Sequence, residues 1–382
     1  MRTADPTIRL LEDLVAIDSV NPSLVPGARG EEEIARRIAT EFIDAGLGVH
    51  ISEVAPCRPN VVAVLDGSAP GPTLMFCGHV DTVGVTGMEH PFEPTHRDGR
   101  LYGRGSQDMK GGLAAMIGAA RLIAEAGGLS RGRLIVAAVI DEEHASIGAE
   151  ALVTKWRADA AVVTEPTDLE VAIAHKGFEW IEIETRGRAA HGSRPNEGRD
   201  AIVWMGRVLN RLEALDRRLQ TAQPHPLLGT ASLHAAVIDG GQEWSSYPHR
   251  CLLRLERRTV PGEQPGIGLH EVQGILDGLR SQDEQFDVNA RGVLAREPYE
   301  IARSSDVATT LARAAAASIG REPHIVGMSF WSDAAILGAA GIPTALFGPG
   351  GAGLHSNEEY VLVEDVRTCR DALVALARQF IR

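Results

Sequence analysis

The chain is poor in cysteine, has no long apolar run and carries no excess of positive charge. Four cysteines in 382 residues do not make a disulfide framework. Cys77 and Cys251 lie inside apolar strand-like runs and Cys369 inside a helix-like one, so all three read as small buried hydrophobes. A reducing compartment, the cytoplasm, fits that usage. No apolar run approaches the length of a membrane span. The opening Met1-Arg2-Thr3-Ala4-Asp5-Pro6 has no apolar core followed by a cleavage site, so no signal peptide is expected. A formal net charge of −13 argues against non-specific nucleic-acid binding and otherwise favours solubility. The P-loop order of Gly, Lys and Ser/Thr is missing, and there is no internal repeat.

What remains is an ordinary globular composition, 44% hydrophobic and 23% charged, in a chain too long for one common core. Residues 5–17 and 31–45 have helical apolar spacing. Residues 61–65, 73–77, 134–140, 160–164 and 344–347 read as strands. Residues 111–126, 147–156, 305–317 and 365–379 read as helices. Strands alternating with helices predict an α/β domain with a mostly parallel sheet and helices on both faces. The run 134–140 is apolar throughout, which implies burial on both sides. Between them the pattern changes. Residues 178–185, 232–238 and 251–256 alternate apolar and polar, as half-exposed antiparallel strands do, and helical stretches lie at 200–219 and 272–279. The reading is a catalytic domain of residues 1–176 and 293–382, interrupted by an α+β insert at 177–292.

Polar clusters sit where the strand-like runs end. His79-Val80-Asp81, Asp141-Glu142-Glu143, Glu165 and His355 each follow one, and Asp108 precedes the helix at 111–126. In an open α/β sheet, ligands gather at the carboxyl ends of the strands. His79 and Asp81, two apart on an extended segment, share a face. A metal-bound imidazole commonly donates its other N–H to an acceptor such as a carboxylate, and Asp81 is a candidate. Asp108, in Gly105-Ser106-Gln107-Asp108, is either a helix N-cap or a carboxylate offering one oxygen to each of two metals. Three acids directly after so apolar a strand are costly without positive compensation. Two adjacent glutamates can divide the labour, one holding metal and the other activating water. The run Gly348-Pro349-Gly350-Gly351-Ala352-Gly353 matches a dinucleotide fingerprint only nominally, since too little chain follows it for a βαβ unit. Backbone approach to substrate through Gly350 and Gly351 is the better reading. Nitrogen and oxygen ligands without cysteine suit Zn²⁺, with Co²⁺ or Mn²⁺ as alternatives.

The order H-V-D, G-R-G-x-x-D-M-K-G-G, D-E-E, T-E-P, H-G-S-R-P and G-P-G-x-x-x-x-H-S-x-x-E resembles the dinuclear-zinc deacylase and peptidase family. Acetylornithine deacetylase, succinyl-diaminopimelate desuccinylase, aminoacylases and carboxypeptidase G belong to it. The resemblance spans nearly the whole chain. It implies two zinc ions, one held by His79, Asp108 and Glu165, the other by Asp108, Glu143 and His355. It makes Glu142 the general base, Asp81 the residue orienting His79, and the Asp108–Met109 bond cis. It makes His191 the oxyanion donor, acting within the chain or across a dimer. Arg258 becomes the anchor for a substrate carboxylate, while Arg257 beside it reads as a surface charge. The insert is expected to serve as lid and dimerisation surface. One departure stands out: Ser245 replaces the asparagine that many relatives carry three residues before the proline matching Pro248.

The expected activity is hydrolysis of an amide bond in a small N-acyl amino acid that bears a carboxylate. A dipeptidase or carboxypeptidase is the rival within the same chemistry. A non-catalytic metal-binding adaptor is the rival outside it, and loss of the base would be its signature; Glu142 is present.

Overall fold

A computed structural model describes residues 5–382; Met1–Ala4, where a signal peptide would begin, lie outside the described residues. The chain divides into two compact units. The first runs to Ile173 and resumes over Ile301–Val326 and Ser332–Arg382; the second comprises Ala174–Glu300 and Gly327–Trp331.

The first unit is built on a large mixed sheet. Its strands lie in the order Gly48–Ala55, Arg58–Asp66, Arg133–Val139, Thr73–His79, Ala160–Val163, Thr344–Leu346, Val171–His175. The four central strands are mutually parallel, and antiparallel neighbours close both sides. Every residue of Ala160–Val163 is buried, as is all of Arg133–Val139 except its first residue. Alternate strand side chains point to opposite faces, so both faces of these strands are covered. The helices Pro6–Val15, Gly111–Glu125 and Val363–Phe380 pack on one another. Pro6–Val15 starts as its sequence dictates: Asp5 accepts from the Thr7 N–H at 2.9 Å, and proline occupies the first turn. Gly112 lets the Gly111–Glu125 helix lie against the end of the Ala160–Val163 strand, because a Cβ there would sit 1.9 Å from the Thr164 carbonyl oxygen. A small four-stranded sheet joins Thr95–Arg97, Arg100–Tyr102, Tyr360–Leu362 and Gly351–Ala352.

The second unit is an antiparallel sheet ordered Ser232–Gly240, Arg250–Thr259, Gly177–Arg186, Val288–Arg296. It carries the helices Ala201–Gln220 and Ile267–Arg280 around one core, with Trp204, Met205, Leu253, Leu255 and Phe286 among its members. The register of this sheet corrects the reading of Arg257 as a surface charge. Along Arg250–Thr259 the buried residues are 251, 253, 255, 257 and 259. Arg257 shares the inward face of the strand and is fully buried. Its Nη2 meets Glu263 Oε1 at 2.6 Å and its Nε meets Glu271 Oε2 at 3.1 Å.

All four cysteines are free; Cys77, Cys251 and Cys369 are buried and Cys57 is exposed. Among the described residues no helix is long and apolar enough to cross a membrane.

Candidate metal centre

Four of the candidate groups are carried to one place by the parallel strands. His79 closes the Thr73–His79 strand, Glu142 and Glu143 follow Arg133–Val139, and Glu165 follows Ala160–Val163. Asp108 joins them from the turn Ser106–Lys110, ahead of the Gly111–Glu125 helix, and its bond to Met109 is cis. His355 arrives from the loop after Gly351–Ala352, in a left-handed conformation with φ of 58°.

Asp108 sits at the middle. Its Oδ1 is 3.1 Å from His79 Nε2 and its Oδ2 is 3.3 Å from His355 Nε2. His355 Nε2 is also 3.1 Å from Glu143 Oε2. Glu142 Oε2 and Glu165 Oε1 each lie 3.9 Å from His79 Nε2. Among the described residues two sets have ligand atoms within 4.8 Å of one another: His79, Asp108 and Glu143, and His79, Glu142 and Glu165.

The electrostatics are unbalanced. Burial raises the Glu142 and Glu165 carboxyls well above the usual range; nearby acids, Asp333 among them, add to this, and His79 only partly offsets it. Burial and then the Asp108 charge push Glu143 up to about 7, against the hydrogen bond from His355. Asp108 shifts the other way: although burial opposes it, hydrogen bonds from His355 and His79 hold it ionised. Those same bonds, from Asp108 first and Glu143 second, push His355 up to about 10.

These residues fit divalent cations. His79 Nδ1 lies 3.0 Å from the Asp81 carbonyl oxygen, which can only accept, so Nδ1 carries the proton. In a neutral ring Nε2 then presents a lone pair toward the Asp108 carboxylate. Glu143 Oε1 is buried with no hydrogen-bond partner among the described residues. A cation among these oxygens and imidazole nitrogens satisfies both, and the all-nitrogen-and-oxygen donor set is that of Zn²⁺, Co²⁺ or Mn²⁺ sites.

Surrounding groups hold the ligands. The Asp81 carboxylate is 3.6 Å from His79 Nδ1, so the carbonyl of Asp81 makes the closer contact with the ring. The carboxylate instead accepts from the Glu142 and Glu143 N–H groups, both at 3.1 Å, and from Asn21 Nδ2 at 2.8 Å. Asp141 is the acid of its trio that meets an arginine: Arg58 Nη2 reaches its Oδ1 at 2.7 Å. Arg58 also forks onto buried Glu31, at 2.8 and 2.5 Å. Sequence reasoning missed Asn21, Glu31, Arg58 and Asp333. A polar residue beside a proline turn and an arginine opening an apolar strand were the only signals available.

The other candidates have different surroundings. Gly350 donates its N–H to Asp365 Oδ2 at 3.0 Å, and Gly351 is a strand residue opposite Val361. A Cβ at Gly351 would lie 2.2 Å from the Tyr360 carbonyl oxygen, and one at Gly350 would lie 2.7 Å from the Asp168 and Asp365 carboxylates, so neither position has room for a side chain. In the second unit, His191 is exposed, with Nδ1 2.7 Å from Ser193 Oγ. Arg258 faces outward from its strand, bonds Glu256 through Nε at 2.6 Å and lies over the Phe178 ring at 5.6 Å.

Comparison with known proteins agrees with this chemistry. The sequence profile described as peptidase family M20/M25/M40 matches residues 75–379. An acetylornithine deacetylase from Myxococcus xanthus is 31% identical over 98% of both chains. An N-formyl-4-amino-5-aminomethyl-2-methylpyrimidine deformylase from Bacillus subtilis (strain 168) is 30% identical, covering 89% of this chain and 87% of its own. Among solved structures, an M20 family metallo-carboxypeptidase from Sulfolobus solfataricus shares the fold with a TM-score of 0.81, at 17% identity, over 98% of this chain and 99% of its own.

Proposed function

This chain belongs to the peptidase family M20/M25/M40 and is a hydrolase acting on amide bonds; from that premise we propose that it deacylates a small N-acyl amino acid, in the manner of acetylornithine deacetylase. The observation that supports the reading most is the placement of Asp108, one oxygen toward each of two histidines, with Glu142 beside them.

We assign His79, Asp108 and Glu165 to one Zn²⁺ and Asp108, Glu143 and His355 to a second, with Co²⁺ or Mn²⁺ able to replace zinc. Bound there, the ions would supply Lewis acidity toward the scissile carbonyl and lower the pKa of water. The protein's own part is proton handling. Glu142 is the base: its raised proton affinity suits a group that must take a proton and later give it up. It takes the proton of the attacking water as the water oxygen bonds to the amide carbon. It returns that proton to the nitrogen as the carbon–nitrogen bond breaks, and the second proton of the water also ends on the amine, so that a carboxylate and an ammonium leave. Asp81 orients His79, whose Nδ1 meets its carbonyl, and its carboxylate fixes the Glu142 and Glu143 backbone by accepting from both N–H groups.

His191 is assigned to the oxyanion and Arg258 to the substrate carboxylate, for which a guanidinium fork is suited. The exposure of His191 supports its role. Glu256 already takes one edge of Arg258. We place the enzyme in the cytoplasm. We also propose a homodimer through the second unit. Its edge strand Ser232–Gly240 leaves Val237 and Ile238 exposed, as the helix beside it leaves Ile202 and Val203, and an unpaired apolar edge invites pairing.

The deciding experiment is a panel of N-acetyl, N-succinyl and N-formyl amino acids and dipeptides, offered to protein reconstituted with Zn²⁺ or Co²⁺. An N-acyl amino acid should give the highest kcat/KM. If dipeptides are turned over faster, the peptidase alternative replaces this reading. A protein that binds two metals and hydrolyses none of the panel would overturn both.

A further inference from the structure

The segment Gly103–Asp108 wraps around one internal carboxylate, that of Glu359. Glu359 is 1% exposed and lies 251 residues beyond Asp108 in sequence. Its Oε2 accepts from Arg104 Nη1 at 2.7 Å and from the Gly105 N–H at 3.0 Å. Its Oε1 accepts from the Gln107 N–H at 2.9 Å and from the Asp108 N–H at 3.1 Å. A carboxylate has about four lone-pair sites, and here all four are used. The main chain adds a fifth link, from the Gly103 N–H to the Glu359 carbonyl at 3.2 Å. Positive φ at Gly103 (147°) and Gly105 (77°) gives the loop the curvature to turn several N–H groups toward one point.

Arg104 closes the arrangement. It is 3% exposed, and while Nη1 holds Glu359, Nη2 donates to the Ser356 carbonyl at 2.9 Å. Ser356 is the neighbour of His355. One buried ion pair therefore ties the loop bearing Asp108 to the segment bearing His355. Asp108 and His355 are also the two groups that meet at 3.3 Å.

We propose that Glu359 is a positioning residue of the metal centre: its carboxylate sets where the Asp108 backbone lies and, with Arg104, fixes Asp108 against His355. The inference rests on the reading of Asp108 and His355 as metal ligands. Glu359 itself touches neither substrate nor the reacting atoms. A bridging ligand must satisfy two ions at once, so small errors in its placement weaken both. Glutamine at 359 would turn an NH₂ group toward backbone N–H donors, leaving them without an acceptor in a buried place.

The test is zinc affinity, measured by competition with a chromophoric chelator on the folded protein and independent of turnover. Replacing a group that orients a metal ligand typically weakens binding about 10- to 100-fold, and Glu359→Gln is expected in that range. Glu359→Asp keeps the charge on a shorter stem and should fall between glutamine and the parent. Arg257→Met, which removes a buried charge remote in sequence from these loops, serves as the control for general destabilisation and should bind zinc like the parent. Circular dichroism at the assay temperature establishes that each variant is folded. If Glu359→Gln does not fold, Arg104→Lys carries the test, because it keeps a charge near Glu359 but loses the second contact to Ser356; weaker zinc binding is expected. Glu359→Gln binding two zinc ions as tightly as the parent overturns the proposal and leaves the metal reading intact, as does unchanged binding in a folded Arg104→Lys when that variant carries the test. A parent that binds no zinc after reconstitution overturns the metal reading itself.

Discussion

Buried charge is handled differently in the two units. In the second, Arg257 is fully buried between Glu263 and Glu271, and Glu179 accepts from the Gly268 and Leu269 N–H groups at the start of the Ile267–Arg280 helix. Each charge there has a local partner of opposite sign or a donor. In the first unit, Arg58 and Arg104 complete similar pairings with Glu31, Asp141 and Glu359. Glu142, Glu143 and Glu165 differ: they lie together, burial raises all three, and histidines are the positive groups nearest to them. Paired buried charge belongs to architecture. Buried acids in excess of their positive partners mark a place built for something the polypeptide does not itself contain.

The sharpest way to break this contrast is Glu142→Gln. It should lower kcat by about 10²- to 10⁴-fold, the usual worth of a general base, while zinc content stays at the parent value. Near-normal turnover would show that this buried acid is idle.

Arg257→Met tests the other side. It should destabilise the protein by about 3 kcal/mol in urea unfolding, because two glutamates lose their buried partner, with no loss of zinc. A change below half a kcal/mol would mean the pair is not structural.

His191 is assigned a role in the second unit, as is Arg258. His191→Ala should cost about 10²- to 10³-fold in kcat, as loss of an oxyanion donor does, with metal content unchanged. Equal loss of zinc and of turnover would instead make it a metal-site residue.

His175 offers a pH-dependent measurement. Burial lowers its pKa to about 4, and its Nδ1 donates to the Lys176 carbonyl at 3.0 Å. Between about 6.5 and 4 the unfolded chain binds a proton that the folded ring refuses. Stability should therefore be level above about pH 6.5 and fall toward pH 4, by up to about 3 kcal/mol. His175→Gln should remove that part of the slope. A ring that titrates near 6.5 in the native protein by NMR would dispose of the idea.

The smallest effect is expected on the antiparallel sheet of the second unit, where the exposed Arg291 pairs with Glu182. Arg291→Ala should change stability by less than about 1 kcal/mol, and salt should erase the difference.

Much of the site is legible in the amino-acid sequence. His79, Glu142, Glu143 and Glu165 stand directly after apolar runs, and parallel strands bring their carboxyl ends to one edge. That regularity is local on each strand, so sequence pattern reveals it. The inward face of Arg257 is legible too: the alternation of Cys251, Leu253 and Leu255, carried one step further, places it inside. The two glycines at 350 and 351 are legible only in part. A glycine signals close approach without saying of what, and here the neighbours are the Asp365 carboxylate and the Tyr360 backbone.

By itself, then, the sequence determined the α/β pattern, the acids and histidines at the strand ends and the family to which they belong, because periodicity and short motifs are properties of neighbouring residues. Tertiary structure alone decided that the Asp81 carboxylate holds the Glu142 and Glu143 backbone, that Arg58 pairs with Asp141 and with neither glutamate, and that Glu359 grips the Asp108 loop from 251 residues away. Such contacts join segments far apart in the chain. No local pattern encodes them; they follow from the cost of taking a charge out of water without a partner, which is met wherever the fold has placed one.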